Sequence, residues 1–147
     1  MAARRDSALH EGMVLDSWAV LAWMQEEPAA IRVDVLLNRA AFGALTLRCS
    51  VINAGEVYYQ LVRAGKGSEA AEFWSSLVRG EMPVRIATAT TPRVKRAAAI
   101  KAAYPLAYAD AFAVALAIEL GWPLVTGDPE IQRPAGDGLL TLEWLGR

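Results

Sequence analysis

Four carboxylates stand where apolar segments meet turns or open helices. They are Asp16 after Met-Val-Leu, Glu56 in SVINAGEVYYQLVRAG, Asp110 in LAYADAFAVALAIEL and Asp128 in VTGDPEI. Carboxylates gathered in a water-poor cleft repel one another and cannot all stay ionised unless a cation joins them. An all-oxygen donor set suits a hard divalent ion, Mg²⁺ or Mn²⁺, rather than zinc. The rest of the chain narrows the choice further, because it holds one His (His10) and one Cys (Cys49). A Cys/His zinc site is excluded, and so is a Ser-His-Asp or Cys-His catalyst unless His10 is recruited. Chemistry must come from carboxylates, hydroxyls, Arg or a borrowed metal.

Each acid also has an ordinary structural reading. Asp16 at a strand-to-helix junction and Asp128 before Pro129 both fit N-caps. Asp110 fits a first-turn acid favoured by the helix dipole, although Ala107 cannot complete a capping box with it. Asn53, Glu56, Gln60 and Arg63 form one polar stripe at helical spacing, which fits a solvated face opposite Val51, Ala54, Tyr58, Leu61 and Val62. Position favours function: three of the acids fall just beyond apolar strands or open the helix after one, and Asp110 opens the helix before the fourth strand.

The elements that must position them alternate between short apolar runs and longer helical patterns. Strands are predicted at Met13–Asp16, Leu45–Cys49, Pro83–Ala87, Pro123–Thr126 and Leu139–Leu142. Helices are predicted over Trp18–Glu27, from Pro28 to Ala41 with Ile31, Val35, Leu36 and Phe42 inward, and from the N-cap Ser50 to Ala64. Further helices run over Ser68–Arg79 with Ala71, Trp74, Leu77 and Val78 on one face, from Thr91 to Pro105, and over Leu106–Leu120. Such alternation predicts an α/β fold, a three-layer α/β/α sandwich around a parallel five-stranded sheet. Its ligand cleft lies at the carboxyl ends of the central strands.

Composition agrees. The 147 residues are 54% hydrophobic and 21% charged, with 15 basic and 16 acidic groups and a net charge of −1. A chain of this length forms one domain with a sizeable core. Near-neutrality excludes a protein whose whole surface clamps nucleic acid. The longest apolar runs, Trp18–Met24 and Ala111–Ile118, fall short of the roughly 20 residues of a membrane span, so no membrane association is expected. With one Cys and no secretory pattern after Met1–Arg5, a cytoplasmic location is expected.

Taken together, Asp16 after its apolar strand, Asn-Ala-Gly-Glu56-Val-Tyr-Tyr, Tyr108-Ala-Asp110-Ala-Phe-Ala and Val-Thr126-Gly-Asp128-Pro resemble the four acidic motifs of PIN-domain ribonucleases. The closest likeness is to the VapC-type toxins of toxin-antitoxin modules, and it spans Met13 to Trp144. The resemblance implies a sheet in the order 3-2-1-4-5 and metal-dependent endonucleolytic cleavage of RNA. It implies that Asp16, Glu56, Asp110 and Asp128 hold Mg²⁺ or Mn²⁺, that Asn53 and Thr126 support the site, and that a cognate antitoxin restrains it. Two positions depart from the pattern, Ala107 for a frequent Ser and Ile131 for a frequent aromatic. The domain is expected over 13–147, behind a flexible leader over 1–12.

Arg93, Lys95, Arg96 and Lys101 offer either an RNA track or a solvated helix face. Trp18, Trp23, Tyr58 and Tyr59 stack bases or fill the core and a subunit interface. Helices rich in Trp, Tyr and Val leave apolar surface on so small a monomer, which predicts a homodimer. A housekeeping RNA-processing nuclease and a non-catalytic PIN-like binding module are the alternatives within the fold. A receiver-like signalling domain requires an Asp at the end of strand three and a Lys at the end of strand five, where Ile86-Ala87-Thr88 and Leu142-Glu143-Trp144 stand instead. A phosphatase with an Asp-x-Asp pair after strand one is weaker still, since Asp16-Ser17-Trp18 lacks the second Asp.

Overall fold

The computed structural model describes residues 11–146. Most of the expected leader, with His10, lies outside the described residues; Glu11 and Gly12 already belong to the first strand. In chain order the elements are β1 (Glu11–Leu15), α1 (Ser17–Met24), α2 (Ala30–Ala41), β2 (Leu45–Ser50), α3 (Val51–Arg63), α4 (Gly67–Val78), β3 (Arg85–Ala87), α5 (Thr91–Ala103), α6 (Tyr108–Leu120) and β4 (Leu124–Thr126). A 3-10 turn (Pro129–Ile131), the short α7 (Gln132–Gly136) and β5 (Leu142–Trp144) complete the fold.

The sheet is parallel throughout, in the order β3-β2-β1-β4-β5. Side chains alternate across it. Leu15, Leu47 and Cys49 face α1–α4 and pack with Ala19, Val33, Val57 and Phe73, while Val14 and Leu124 face α6 and pack with Ala113, Val114 and Ile131. Burying a large aliphatic side chain contributes about 1.5–3 kcal/mol, so two-sided burial of the central strands accounts for much of the chain's apolar excess. α6 is enclosed by the sheet on one side and α5 on the other, which explains its unbroken apolar run from Ala111 to Ala117. Among the described residues no helix is long and apolar enough to cross a membrane.

Three expectations from periodicity need correction. β5 lies at Leu142–Trp144 rather than Leu139–Leu142, because its register is set by Leu124 pairing with Leu142 and Thr126 with Trp144. α2 buries Val33, Leu36 and Leu37, leaving Ile31 76% and Phe42 90% exposed. α4 buries Ala70, Phe73 and Leu77, leaving Val78 60% exposed. In both helices two apolar stripes compete, and the stripe that the sheet covers is not the one the spacing favours.

Candidate metal centre

The carboxyl ends of β1 and β4 adjoin, since Val14 pairs with Leu124 and Leu15 with Val125. Asp16 follows β1 directly as the N-cap of α1, its Oδ1 accepting from the Ala19 amide at 2.9 Å. Its Oδ2 accepts from the Thr126 hydroxyl at the end of β4. The same Thr126 oxygen accepts from the Asp128 amide at 3.0 Å. One hydroxyl thus fixes two acids that are distant in sequence. Asp128 is also an N-cap, its Oδ1 accepting from the Glu130 amide at 3.0 Å. The N-cap reading of both acids therefore holds in the structure alongside their convergence.

Asp110 lies in the first turn of α6, behind an N-cap, Ala107, that makes no side-chain hydrogen bond. Asn53, fully buried on α3, donates from Nδ2 to the Ala109 carbonyl at 3.1 Å and so ties α3 to the turn that carries Asp110. The polar stripe of α3 is solvated only in its second half: α6 covers it at Asn53 and Glu56 is half-buried, while Gln60 and Arg63 are exposed. Glu56 accepts from the Ser17 hydroxyl and, at 3.4 Å, from the Tyr59 hydroxyl.

The neighbouring acids bear on Asp16 and on Asp110. Asp16 is completely buried, and its carboxyl is pushed up to about 7, first by burial and also by the charges of Asp128 and Glu56; the bonds from Thr126 and Ala19 oppose the rise. Asp110 is pushed up to about 8 by burial, then by the charges of Asp128, Asp16 and Glu56, and by a hydrogen bond with Asp128 that its protonated form makes. None of the four pairs with Lys or Arg among the described residues.

A carboxylate oxygen from each of Asp110, Asp128 and Glu130 lies within 4.8 Å of the other two. Sequence reasoning passed over Glu130 as the second residue of a helix start. The signal was present in Asp-Pro-Glu, because a 3-10 turn after Asp128 returns the third residue toward the cap. Ser17, which holds Glu56, carried no signal beyond its place beside Asp16.

The residues fit a hard divalent cation. Every nearby donor is a carboxylate, hydroxyl or amide oxygen, no cation among the described residues pairs with the four acids, and the Oδ1 of Asn53 is buried without a partner. Burying unpaired carboxylates costs several kcal/mol each, so the cleft requires either bound protons or a cation.

Known structures share this architecture. VapBC-1 from nontypeable Haemophilus influenzae matches with a TM-score of 0.64 at 18% identity, covering 91% of this chain and 98% of that one. DNA-bound VapBC from Salmonella typhimurium gives 0.63 at 16% identity, covering 92% and 98%. VapC20 of Mycobacterium tuberculosis, a toxin that cleaves the sarcin-ricin loop, gives 0.64 at 15% identity, covering 82% and 93%. No curated protein sequence matches the chain. The family model of the PIN domain matches residues 13–137, the span that carries all four acids, Thr126 and Glu130. With that match, the sheet order and the acidic cleft in agreement, the chain belongs to the PIN-domain family.

Proposed function

We propose that this protein is a metal-dependent endoribonuclease and the toxin of a toxin-antitoxin pair, hydrolysing RNA phosphodiester bonds with Mg²⁺ or Mn²⁺. The observation that carries the reading is the convergence of Asp16, Glu56, Asp110 and Asp128 at the carboxyl ends of β1 and β4 with no cation among the described residues paired to them. In this reading the four acids hold the ion, and Glu130 adds a fifth carboxylate at the rim.

A bound divalent ion supplies acidified water and offsets the charge that builds on the phosphoryl oxygens. The chain's own residues set the geometry. Thr126 holds the Asp16 carboxylate and the backbone amide of Asp128, the Glu130 amide holds the Asp128 carboxylate, and Asn53 anchors the turn beneath Asp110. Ser17 and Tyr59 hold the two Glu56 oxygens, so that Glu56 or Asp128 can orient water in line with the scissile bond.

Two features support the toxin reading. Structural relatives include VapBC complexes and a toxin that cleaves the sarcin-ricin loop. This chain also exposes apolar side chains that a soluble monomer gains nothing by showing, among them Ile31 and Val35 on α2, Phe42 just after it, and Tyr58, Val62 and Val78 on α3 and α4. We assign the α3–α4 face, where Tyr58 packs edge-on against Trp74, to a homodimer contact, and the remaining apolar surface to a cognate antitoxin. Both partners meet the toxin in the cytoplasm, where its RNA substrate is.

The deciding experiment incubates the purified chain with structured RNAs and Mg²⁺ or Mn²⁺, against chelator and against Asp16→Asn and Asp110→Asn. Cleavage is expected only with metal and only in the wild type. Cleavage that persists in both variants would falsify the assignment of the centre.

A further inference from the structure

Four arginines from three segments meet beside the acidic cleft. Arg48 in β2 and Arg85 in β3 are register partners, which sets two like charges side by side, an arrangement that costs stability in a sheet. α5 adds Arg93 and Arg96. A single carboxylate answers them: Glu119, near the end of α6, accepts from Nε and Nη2 of Arg93 at 3.2 and 3.1 Å and from Nη1 of Arg96 at 3.0 Å. Arg93 Nη1 also donates to the Thr88 carbonyl at 3.0 Å. Arg48 reaches only the Ile86 carbonyl, at 3.5 Å, and its Nε is buried without a partner. Arg93 and Arg85 repel its charge, and Glu119 is the one carboxylate that attracts it. Four guanidinium groups against one carboxylate leave positive charge that nothing within the described residues neutralises.

The patch is continuous with the cleft. Val14 pairs with Arg48, so Asp16 and Ser50 stand level two residues further on. Ser50 lines the same narrow crevice as Arg93, Arg96, Phe112 and Glu119. β3 lies two strand spacings from β1, about 10 Å, a distance that one nucleic-acid strand spans. The other basic residues of α5 are placed differently: Lys101 donates to the Leu106 carbonyl at 2.7 Å, and Lys95 takes no part in the cluster.

We propose that Arg48, Arg85, Arg93 and Arg96 form a phosphate-binding patch that holds the backbone of a single RNA strand as it enters the acidic cleft. The proposal rests on the ribonuclease reading. Guanidinium forks match phosphate oxygens in pairs, and the scissile strand itself supplies the charge that the fold leaves unbalanced. The patch explains how a chain of net charge −1 binds a polyanion: its positive field is local, and next to its acids.

The test measures binding separately from cleavage. Fluorescence anisotropy of a labelled single-stranded RNA, in chelator and across a salt series, compares wild type, R48Q/R85Q, R85E and a control, R63Q, on a different helix. R48Q/R85Q is expected to raise Kd about tenfold and to make the dependence of log Kd on log salt shallower by about 1.4, two phosphate contacts at about 0.7 each. R85E changes an exposed edge-strand residue, so it reports even if the Arg48 substitution fails to fold, and it is expected to weaken binding alone. R63Q is expected to bind like wild type. Unchanged Kd and slope in both R48Q/R85Q and R85E overturn the proposal and leave the patch to another anion, such as an acidic protein segment. If the wild type cleaves no RNA while binding still depends on these arginines, the ribonuclease reading fails and the patch stands.

Discussion

Thr126 joins Asp16 to Asp128 through one oxygen that donates to the first and accepts from the amide of the second. Thr126→Val keeps the shape and removes both bonds. It leaves a fully buried carboxylate short of a donor, so it is expected to cost about 1–3 kcal/mol in urea unfolding and about 10–100-fold in RNA cleavage. The raised acids give a second expectation. Asp16, at about 7, and Asp110, at about 8, bind protons more tightly folded than unfolded, where a carboxyl titrates near 3.8. Their stabilising contribution is therefore full below pH about 4 and is lost as pH rises through 7 to 8. In chelator the melting temperature should fall between pH about 5 and 8.5, and Mg²⁺ or Mn²⁺ should restore more of it at the upper end. A melting temperature that rises over that window would sink the account of the cleft. Three of these acids were legible because Asp16, Asp110 and Asp128 sit at element boundaries, where side chains leave the apolar pattern. The bond from Asn53 to the Ala109 carbonyl was not legible, because a single helical stripe cannot show that a second helix, α6, lies on its polar side. Glu130 was missed because its approach depends on the tightness of a 3-10 turn.

Gly127 separates the two residues at the end of β4 that matter most, and an added Cβ there would lie 2.3 Å from Cη2 of Trp18. Gly127→Ala is expected to destabilise by about 1–3 kcal/mol and to reduce cleavage, since either the Trp18 ring or the Asp128 turn must move. Combining it with Trp18→Ala should recover part of the cleavage if the clash is the cause; a strictly additive double mutant would exclude that route. Glycine and tryptophan here work as a pair that brings β4 against the start of α1. The pairing was invisible in the sequence, where Trp18 offered only base stacking or core packing. The alternation of strands and helices was legible, because two-sided burial leaves near-continuous apolar runs. Helix facing was less so: α2 and α4 each carry two apolar stripes, and tertiary packing selected Val33, Leu36, Leu37 and Ala70, Phe73, Leu77.

The unselected stripes set an expectation for the whole molecule. Tyr58, Val62 and Val78 are exposed on adjoining helices, and Trp74 lies between them half-buried. Size-exclusion chromatography with light scattering should find a dimer, and Val62→Asp with Val78→Asp should convert it to monomer while the fold persists by circular dichroism. A wild-type monomer at every concentration would remove the dimer.

The order of the sheet also has a consequence for the cell that makes this protein. β1, with Asp16 behind it, is synthesised before β2 and β3, yet its neighbour on the cleft side is β4, and Asp110, Asp128 and Glu130 follow only after β3. An unfinished chain on the ribosome can assemble β1, β2 and β3 with their helices, but it holds only two of the acids. The carboxylate cluster comes into being when α6 and β4 have emerged and β4 docks on β1. Until then the chain lacks the cluster that would act on the RNA around it.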